Sequence, residues 1–315
     1  MGEPRISVII PVRNEADKLE QCLTAVLAQS LKAHEVIVVD GHSIDGTVER
    51  AKRFPVKILY EDYHTRAGAC QIGVENAGGE YVAFTDADCR PDRDWLANLV
   101  KAFDDGIVGV GGMIKQLGEE TWIRSVNLVY GTFLGSANSV QGRCHKTKRV
   151  VNSISGSNSM YLKQNLVKVG GFKVKLPGGE DAEINKRLLR HGHLLYTPDA
   201  IIQHEHGRSL KSFARQMYLY GTQVRRSNIW TLQSLPPLIV PLLFVSLVFT
   251  RWFFPAMLGI YLLLLISMAL KFSIQEKSAK YMITIPITYI TEHVSYTAGF
   301  WKGMVRPPKQ REVGK

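Results

Sequence analysis

Two carboxylates stand one residue apart in Asp86-Ala87-Asp88, directly after the apolar run Tyr81-Val82-Ala83-Phe84-Thr85. At a strand end, such a pair can share a hard divalent cation. The cation can bridge a diphosphate and neutralise charge that builds on a leaving group. A D-x-D triplet alone occurs by chance in many loops, so its place after a strand-like run is what gives it weight. Further on, Gly178-Gly179-Glu180-Asp181 precedes a helical pattern over 182–191. Asp181 there is either an ordinary helix cap or a general base for an acceptor hydroxyl. His204-x-His206 follows. One of these histidines could complete the coordination of a metal held by Asp88, or the pair could be incidental. Arg208, Arg215, Arg225 and Arg226 are candidates for diphosphate contacts, or form a basic helix facing lipid head groups.

These side chains need a frame that brings them together. Ile6–Ile10 is a β-branched run that reads as a buried strand, ended by Pro11. Asn14-Glu15-Ala16-Asp17 offers capping residues for a helix patterned on Leu19, Cys22, Leu23, Val26 and Leu27. A second strand is expected at 35–39, a helix start at Asp45-Gly46-Thr47, a third strand at 57–60 and a fourth at 81–85. Strands alternating with helices imply a mostly parallel α/β sheet covered on both faces. Ligands bind such sheets outside the carboxyl ends of the strands. Asn14 and Glu15, Asp40, and the pair Asp86 and Asp88 all fall at such ends.

The net charge is +11. A basic balance suits nucleic acid, anionic lipid or anionic substrates. The chain has no zinc-finger spacing and no aromatic-basic array of the RNA-reading kind, so nucleic acid is not the expected partner. Much of the positive charge flanks an apolar C-terminal part, where attraction to anionic lipid is the simpler account. Cys22, Cys70, Cys89 and Cys144 are widely spaced, as expected of reduced thiols rather than a disulfide framework. The run Ile6–Val12 is too short for a signal peptide, and the catalytic part is expected to stay on the cytoplasmic side.

At this point the chain resembles the family 2 glycosyltransferases, which carry the A-type, Rossmann-like fold. The resemblance runs from Ile6 to about Arg226. It rests on an ordered set of segments: Val8-Ile9-Ile10-Pro11-Val12-Arg13-Asn14-Glu15, Val38-Val39-Asp40-Gly41-His42-Ser43-Ile44-Asp45-Gly46-Thr47, Phe84-Thr85-Asp86-Ala87-Asp88, Gly156-Ser157-Asn158 and Gly179-Glu180-Asp181. The resemblance implies inversion at the anomeric carbon by single displacement. It implies a nucleotide surrounded by Pro11, Glu15, Asp40 and Arg66, with Asn14 beside them and Asp86 towards the ribose or metal. It further implies Mg²⁺ or Mn²⁺ on Asp88 with His204 or His206, and Asp181 as base next to Glu180. Two departures stand out. Ala69-Cys70-Gln71 replaces the family's Ala-Arg-Asn, and Gln223-Val224-Arg225-Arg226 is followed by Ser227 rather than tryptophan. The second departure favours transfer of a single sugar over processive polymer synthesis.

Residues 231–250 and 252–272 are apolar enough, at about 20 residues each, to cross a core of roughly 30 Å. Only Arg251 separates them. A membrane hairpin is therefore expected, with two buried core helices as the alternative. Residues 281–304 place Ile283, Ile287, Ile290, Val294 and Trp301 on one helical face but carry Glu292-His293 mid-segment. A charge is costly within lipid, so this segment is expected to lie along the cytoplasmic interface. The domains expected are a catalytic part, 1–228, and a membrane part, 229–315. Residues 122–134 either help form the acceptor side or cover the sheet.

The function expected is an inverting, metal-dependent transfer of one sugar from a nucleoside-diphosphate sugar to a hydroxyl on a membrane-associated, lipid-linked acceptor. A hydroxyl is a poor nucleophile and benefits from a base, whereas a lipid phosphate is already anionic near neutral pH, with a second pKa of about 6. The intact Glu180-Asp181 pair thus leans away from the main alternative, a synthase loading sugar onto polyprenyl phosphate. A catalytically silent nucleotide-sugar binder is the alternative from another class.

Overall fold

The computed structural model describes residues 3–137, 139, 142, 144–176, 178–205, 209–226, 232, 235–249 and 252–305. Its first half alternates strands and helices: β1 (Ile6–Val12), α1 (Ala16–Leu27), β2 (Glu35–Asp40), α2 (Thr47–Ala51), β3 (Lys57–Tyr60), α3 (Arg66–Asn76) and β4 (Tyr81–Phe84). Then come β5 (Cys89–Pro91), α4 (Trp95–Lys101), β6 (Ile107–Leu117), α5 (Thr121–Tyr130) and α6 (Phe133–Ser136). They are followed by β7 (Arg149–Val151), β8 (Ser159–Leu162), α7 (Lys163–Lys168), α8 (Glu180–Leu188) and β9 (His193–Glu205). The helices α9 (Leu210–Arg226), α10 (Leu235–Phe249), α11 (Phe253–Gln275) and α12 (Tyr281–Val305) complete the described chain.

The strands join in one sheet of order β3-β2-β1-β4-β8-β6-β9-β5, with β7 paired to β9. The expectation of a mostly parallel sheet holds only for its first four strands. β1 pairs in parallel with β2 and β4, and β2 with β3. Beyond β4 the pairings of β8 with β4, β6 with β8, and β5 and β7 with β9 are antiparallel. The sheet is mixed because β8 enters between β4 and β6 against the direction of both, with helices lying between these strands in sequence. Pro11 does not end β1. It sits opposite Val39 in a strand that runs on to Val12.

Both faces of the sheet are dry. Ile6, Val8 and Ile10 meet Leu19, Leu23, Val38, Trp95 and Leu99 on one side. Ile9, Ile37 and Val39 meet Val74, Phe84, Tyr161, Ile184 and Leu188 on the other. The period-2 alternation of β1 accounts for both clusters, since successive side chains point to opposite faces. Asn158 lies at the centre, fully buried. Its Nδ2 donates to the carbonyls of Met113 and Ala200 at 2.9 and 3.0 Å, and its Oδ1 accepts from Trp95 Nε1 at 2.8 Å.

The chain divides into two compact units. One comprises residues up to Gln116 with Cys144–Glu205, and the other Leu117–Arg143 with His206–Lys309. This division groups α5, α6 and α9 with the apolar helices, whereas composition alone sets the boundary near 228. In the second unit, Leu128, Val129, Leu265, Ala269, Phe272, Tyr281, Ile285 and Tyr289 form a core. Arg124 donates to both oxygens of Glu276 at 2.9 and 2.8 Å. α9 and α12 touch backbone to backbone: a Cβ at Gly299 would lie 1.9 Å from the Tyr218 carbonyl.

Among the described residues one helix, α11, is long and apolar enough to cross a membrane. α10 spans 15 residues, about 22 Å, short of the full bilayer core. Among the described residues one helix of full crossing length is found where two were expected; the ends expected for α10, Thr231 and Thr250, lie outside them. On α12 the expected apolar face, including Ile283, Ile287, Ile290 and Val294, is exposed. Tyr281, Ile285, Tyr289, Glu292 and Phe300 are buried on the opposite face. Burial holds the Glu292 carboxyl well above the ordinary carboxylate value.

Candidate active site

The site is assembled at the carboxyl ends of β1, β2 and β4. After β1, Asn14 adopts a left-handed conformation with φ +54°. Its amide nitrogen donates to Ser43 Oγ at 2.8 Å, and its Oδ1 accepts from the Ile44 amide at 2.9 Å. The start of α1 is capped from the next loop, not by the local residues suggested by sequence. The Glu15 amide donates to Thr47 Oγ1 at 3.0 Å and the Ala16 amide to Asp45 Oδ2 at 3.1 Å. Asp40 is buried and accepts from Ser43, amide at 2.9 Å and hydroxyl at 2.5 Å. The two loops are therefore one hydrogen-bonded rim. Pro11 is buried at its base. Glu15 projects from it, its carboxyl pushed up by burial against the opposing charge of Lys18, with Asp88, Asp45 and Asp86 adding to the rise.

Arg66 is the hub. Thr65 caps α3, its hydroxyl accepting from the Gly68 amide at 2.9 Å, so Arg66 leaves from the first helical position. Its Nε and Nη2 donate to Asp86 Oδ1 at 3.0 and 2.6 Å. Its Nη1 donates to Glu180 Oε1 at 2.5 Å. One guanidinium thus joins Asp86 to Glu180, the latter 114 positions beyond the arginine in sequence, the fork geometry that arginine supplies and lysine does not. A Cβ on Gly156 would lie 2.6 Å from Arg66 Nη1, so the glycine leaves the room this side chain occupies.

Glu180 and Asp181 open α8 after Gly179, whose φ of +72° lies in the left-handed region open to glycine. Asp181 Oδ1 accepts from the Ala182 amide at 2.7 Å and Oδ2 from the Gly156 amide at 3.3 Å. Burial, reinforced by the neighbouring Glu180 charge and opposed by Arg66, pushes the Asp181 carboxyl up to about 6. A carboxyl tuned this far is still ionised at neutral pH while keeping enhanced affinity for a proton, which is what a general base needs.

The second acidic residue of the triplet faces a different group. Antiparallel pairing of β5 with β9 sets Cys89 opposite His204, and His204 Nε2 lies 3.0 Å from Asp88 Oδ1. Ligand atoms of Asp88, Cys89 and His204 all fall within 4.8 Å of one another. A carboxylate oxygen and an imidazole nitrogen at this separation fit a divalent cation such as Mn²⁺ or Mg²⁺ in place of the proton between them. Asp86 is held by Arg66 and is not among these three. His206 lies outside the described residues, as does Arg208. Arg215 is exposed on α9 in the second unit.

Sequence reasoning missed Cys89 as a member of the Asp88 group and Ser43 and Thr47 as the partners that fix Asn14 and Glu15. The only available signal for Cys89 was its adjacency to Asp88. The described cysteines are free thiols, and burial pushes the Cys70 thiol up to about 12.

A family profile described as Glycosyl transferase family 2 matches residues 7–170. The chain is 24% identical over 324 residues to a dolichyl N-acetyl-alpha-D-glucosaminyl phosphate 3-beta-D-2,3-diacetamido-2,3-dideoxy-beta-D-glucuronosyltransferase of Methanococcus voltae, covering 96% of this chain and 97% of that one. It is 29% identical over 242 residues to the glycosyltransferase AglE of Haloferax volcanii, covering 74% and 76%. Its fold superposes on a mannosyltransferase from Pyrobaculum calidifontis in complex with GDP-Man and Mn²⁺, with a TM-score of 0.61 at 22% identity, over 96% of this chain and 88% of that one. The ordered strand ends, the acidic residues they carry and the profile match agree: the chain belongs to the family 2 glycosyltransferases and is a glycosyltransferase of the A-type fold.

Proposed function

We propose that the chain transfers one sugar, with inversion, from a nucleoside-diphosphate sugar to a hydroxyl of a lipid-linked acceptor, and that it does so with a divalent cation. The observation that carries this reading is the Arg66 hub, which ties Asp86 to Glu180 and so sets the donor side beside the tuned carboxyl of Asp181. Asp181 takes the proton from the acceptor hydroxyl as that oxygen attacks the anomeric carbon. The Gly156 amide holds Asp181 in place as a backbone donor, and the neighbouring Glu180 charge raises its affinity for the proton. Asp88 and His204 would hold Mg²⁺ or Mn²⁺, which supplies charge neutralisation at the departing diphosphate. The rim of Pro11, Asn14, Glu15 and Asp40 borders the nucleotide, and Arg215 is a further candidate for a diphosphate contact.

A base is of use for a hydroxyl acceptor and superfluous for a phosphate. The Methanococcus relative, by its name, acts on a sugar carried by dolichyl phosphate, which supports a lipid-linked sugar as acceptor here. Membrane attachment would run through α11, with α10 beside it as the first arm of a hairpin. Lys271, Lys277 and Lys280 at its C-terminal end follow the positive-inside tendency, and both ends of the hairpin then share the cytoplasmic side with the catalytic unit.

The test is transfer by the full-length chain in detergent, with a panel of nucleotide sugars, with and without Mn²⁺, and with membrane lipid extract. Metal-dependent release of nucleoside diphosphate, raised by lipid and lost in Asp88→Asn, is expected. Product with retained anomeric configuration, or full transfer by Asp181→Asn, would overturn the assignment.

A further inference from the structure

We infer that the second unit carries a preformed slot for a single isoprenoid chain with an anionic head, with Lys271 at its mouth. A cavity of about 500 Å³ lies between the α5–α6 segment and α11. Asn127 and Leu134 stand on one wall, and Leu264, Met268, Lys271 and Gln275 on the other. The spacing of the last four, at i, i+4, i+7 and i+11, puts them on one helical face.

The placement of polarity along that face identifies the ligand class. A helix rises 1.5 Å per residue, so Lys271 lies about 27 Å along α11 from Phe253, close to the roughly 30 Å of a bilayer core. With Trp252, which is exposed, at one interface, Lys271 and Gln275 reach the other. Leu264 then lies about 10 Å deeper in the apolar layer. The slot therefore has a cationic mouth at head-group level and an apolar floor, which is the profile of an amphiphile. A free phosphate would leave the floor unused, and a neutral chain would leave Lys271, whose ammonium lies 5.5 Å from the centre of the Phe272 ring, without an anion.

The walls are fixed before anything enters. Thr132 Oγ1 and the Tyr289 hydroxyl are hydrogen-bonded at 2.8 Å. His293 Nε2 lies 3.2 Å from the Leu134 carbonyl and its Nδ1 lies 2.9 Å from the Tyr261 hydroxyl. These contacts brace the α5–α6 wall from α11 and α12, so little ordering cost falls on binding. The occupant is the phosphate-borne isoprenoid chain of the acceptor, an identification that rests on the lipid-linked acceptor proposed above.

The probes are geranylgeranyl phosphate, geranylgeraniol and phosphatidylglycerol, titrated against the full-length chain in detergent by native mass spectrometry. The phosphate is expected to bind at least tenfold tighter than the alcohol. Lys271→Gln, which leaves the packing alone, should abolish that preference. Met268→Trp should weaken both prenyl probes at least tenfold, while Leu263→Trp, on the exposed side of the same helix and outside the slot, should change neither. Equal binding of the phosphate and the alcohol, unchanged binding in Met268→Trp, equal loss in Leu263→Trp, or displacement by an equal concentration of phosphatidylglycerol would overturn the slot. Metal-dependent release of nucleoside diphosphate is followed in the same samples. If prenyl binding behaves as expected and no donor turns over, the transferase reading of the acceptor fails and the slot stands. Turnover with indifferent lipid binding fails the slot alone.

Discussion

Replacing Asp181 by asparagine should remove transfer and, at pH 8, make the protein more stable. Its carboxyl is raised from an ordinary value of 3.8 to about 6, and each tenfold change in proton affinity is worth about 1.4 kcal/mol. A raised folded-state value contributes stability that is present below the unfolded value and lost as pH rises through the folded one. Above pH 6 the native protein therefore carries ~3 kcal/mol of burial cost at this position. Asparagine escapes that cost but has one acceptor oxygen where aspartate has two. The 3.3 Å bond from the Gly156 amide is the weaker of the pair and the one expected to be lost, at about 1 kcal/mol. The net expectation is a variant ~2 kcal/mol more stable than wild type at pH 8 and ~1 kcal/mol less stable at pH 4, where wild-type Asp181 is protonated. In thermal unfolding this is a gain of roughly 4–8 °C at the higher pH. Wild type and variant would be melted side by side from pH 4 to 8. A difference that does not change with pH, or one that favours the variant at pH 4, would show that burial of the charge does not set the Asp181 environment.

Other substitutions test the surroundings of this residue. Arg66→Lys keeps the charge but cannot span Asp86 and Glu180. A loss of about 1.5–3 kcal/mol in denaturant unfolding is expected, with kcat/KM for transfer down at least tenfold. Gly156→Ala places a methyl group 2.6 Å from Arg66 Nη1 and should lower kcat/KM by about tenfold, or ~1.4 kcal/mol, with far-ultraviolet circular dichroism unchanged; full activity would mean the hub is not needed. Asn158→Ala leaves the Trp95 indole and two carbonyls without partners. It should cost about 3 kcal/mol in unfolding, with its effect on transfer following only the fraction unfolded.

Much of the catalytic unit was legible because its signals are local. The four parallel strands announce themselves as short β-branched runs, and the chemistry sits where such strands stop. β1 to β4 were therefore found to within about two residues, with the acidic positions at their ends. What was not legible depends on contacts between distant segments. Arg66 could be named as a donor-site residue but not as the link between Asp86 and Glu180, because that link exists only after α3 and α8 converge. His204 reaches Asp88 through the β5–β9 register, and register is a property of pairing rather than of either strand alone. The mixed sheet was missed because no strand beyond the fourth was read from the sequence, and the direction of β8 is fixed only by its pairing with β4 and β6. In the second unit, α12 shows two apolar faces in sequence, and only packing decides which is covered.

The hydrogen bonds that run from Asn14, Glu15 and Ala16 to Ser43, Thr47 and Asp45 have a kinetic consequence. Neither loop can peel away without breaking the other's bonds, so both should exchange their amide protons in a single opening event. A ligand arriving at these strand ends meets a rim that is already frozen, and is spared the ~1–2 kcal/mol per residue of ordering a loose loop. Nucleotides that fit the rim well or badly should then arrive at similar speeds and differ mainly in how long they stay.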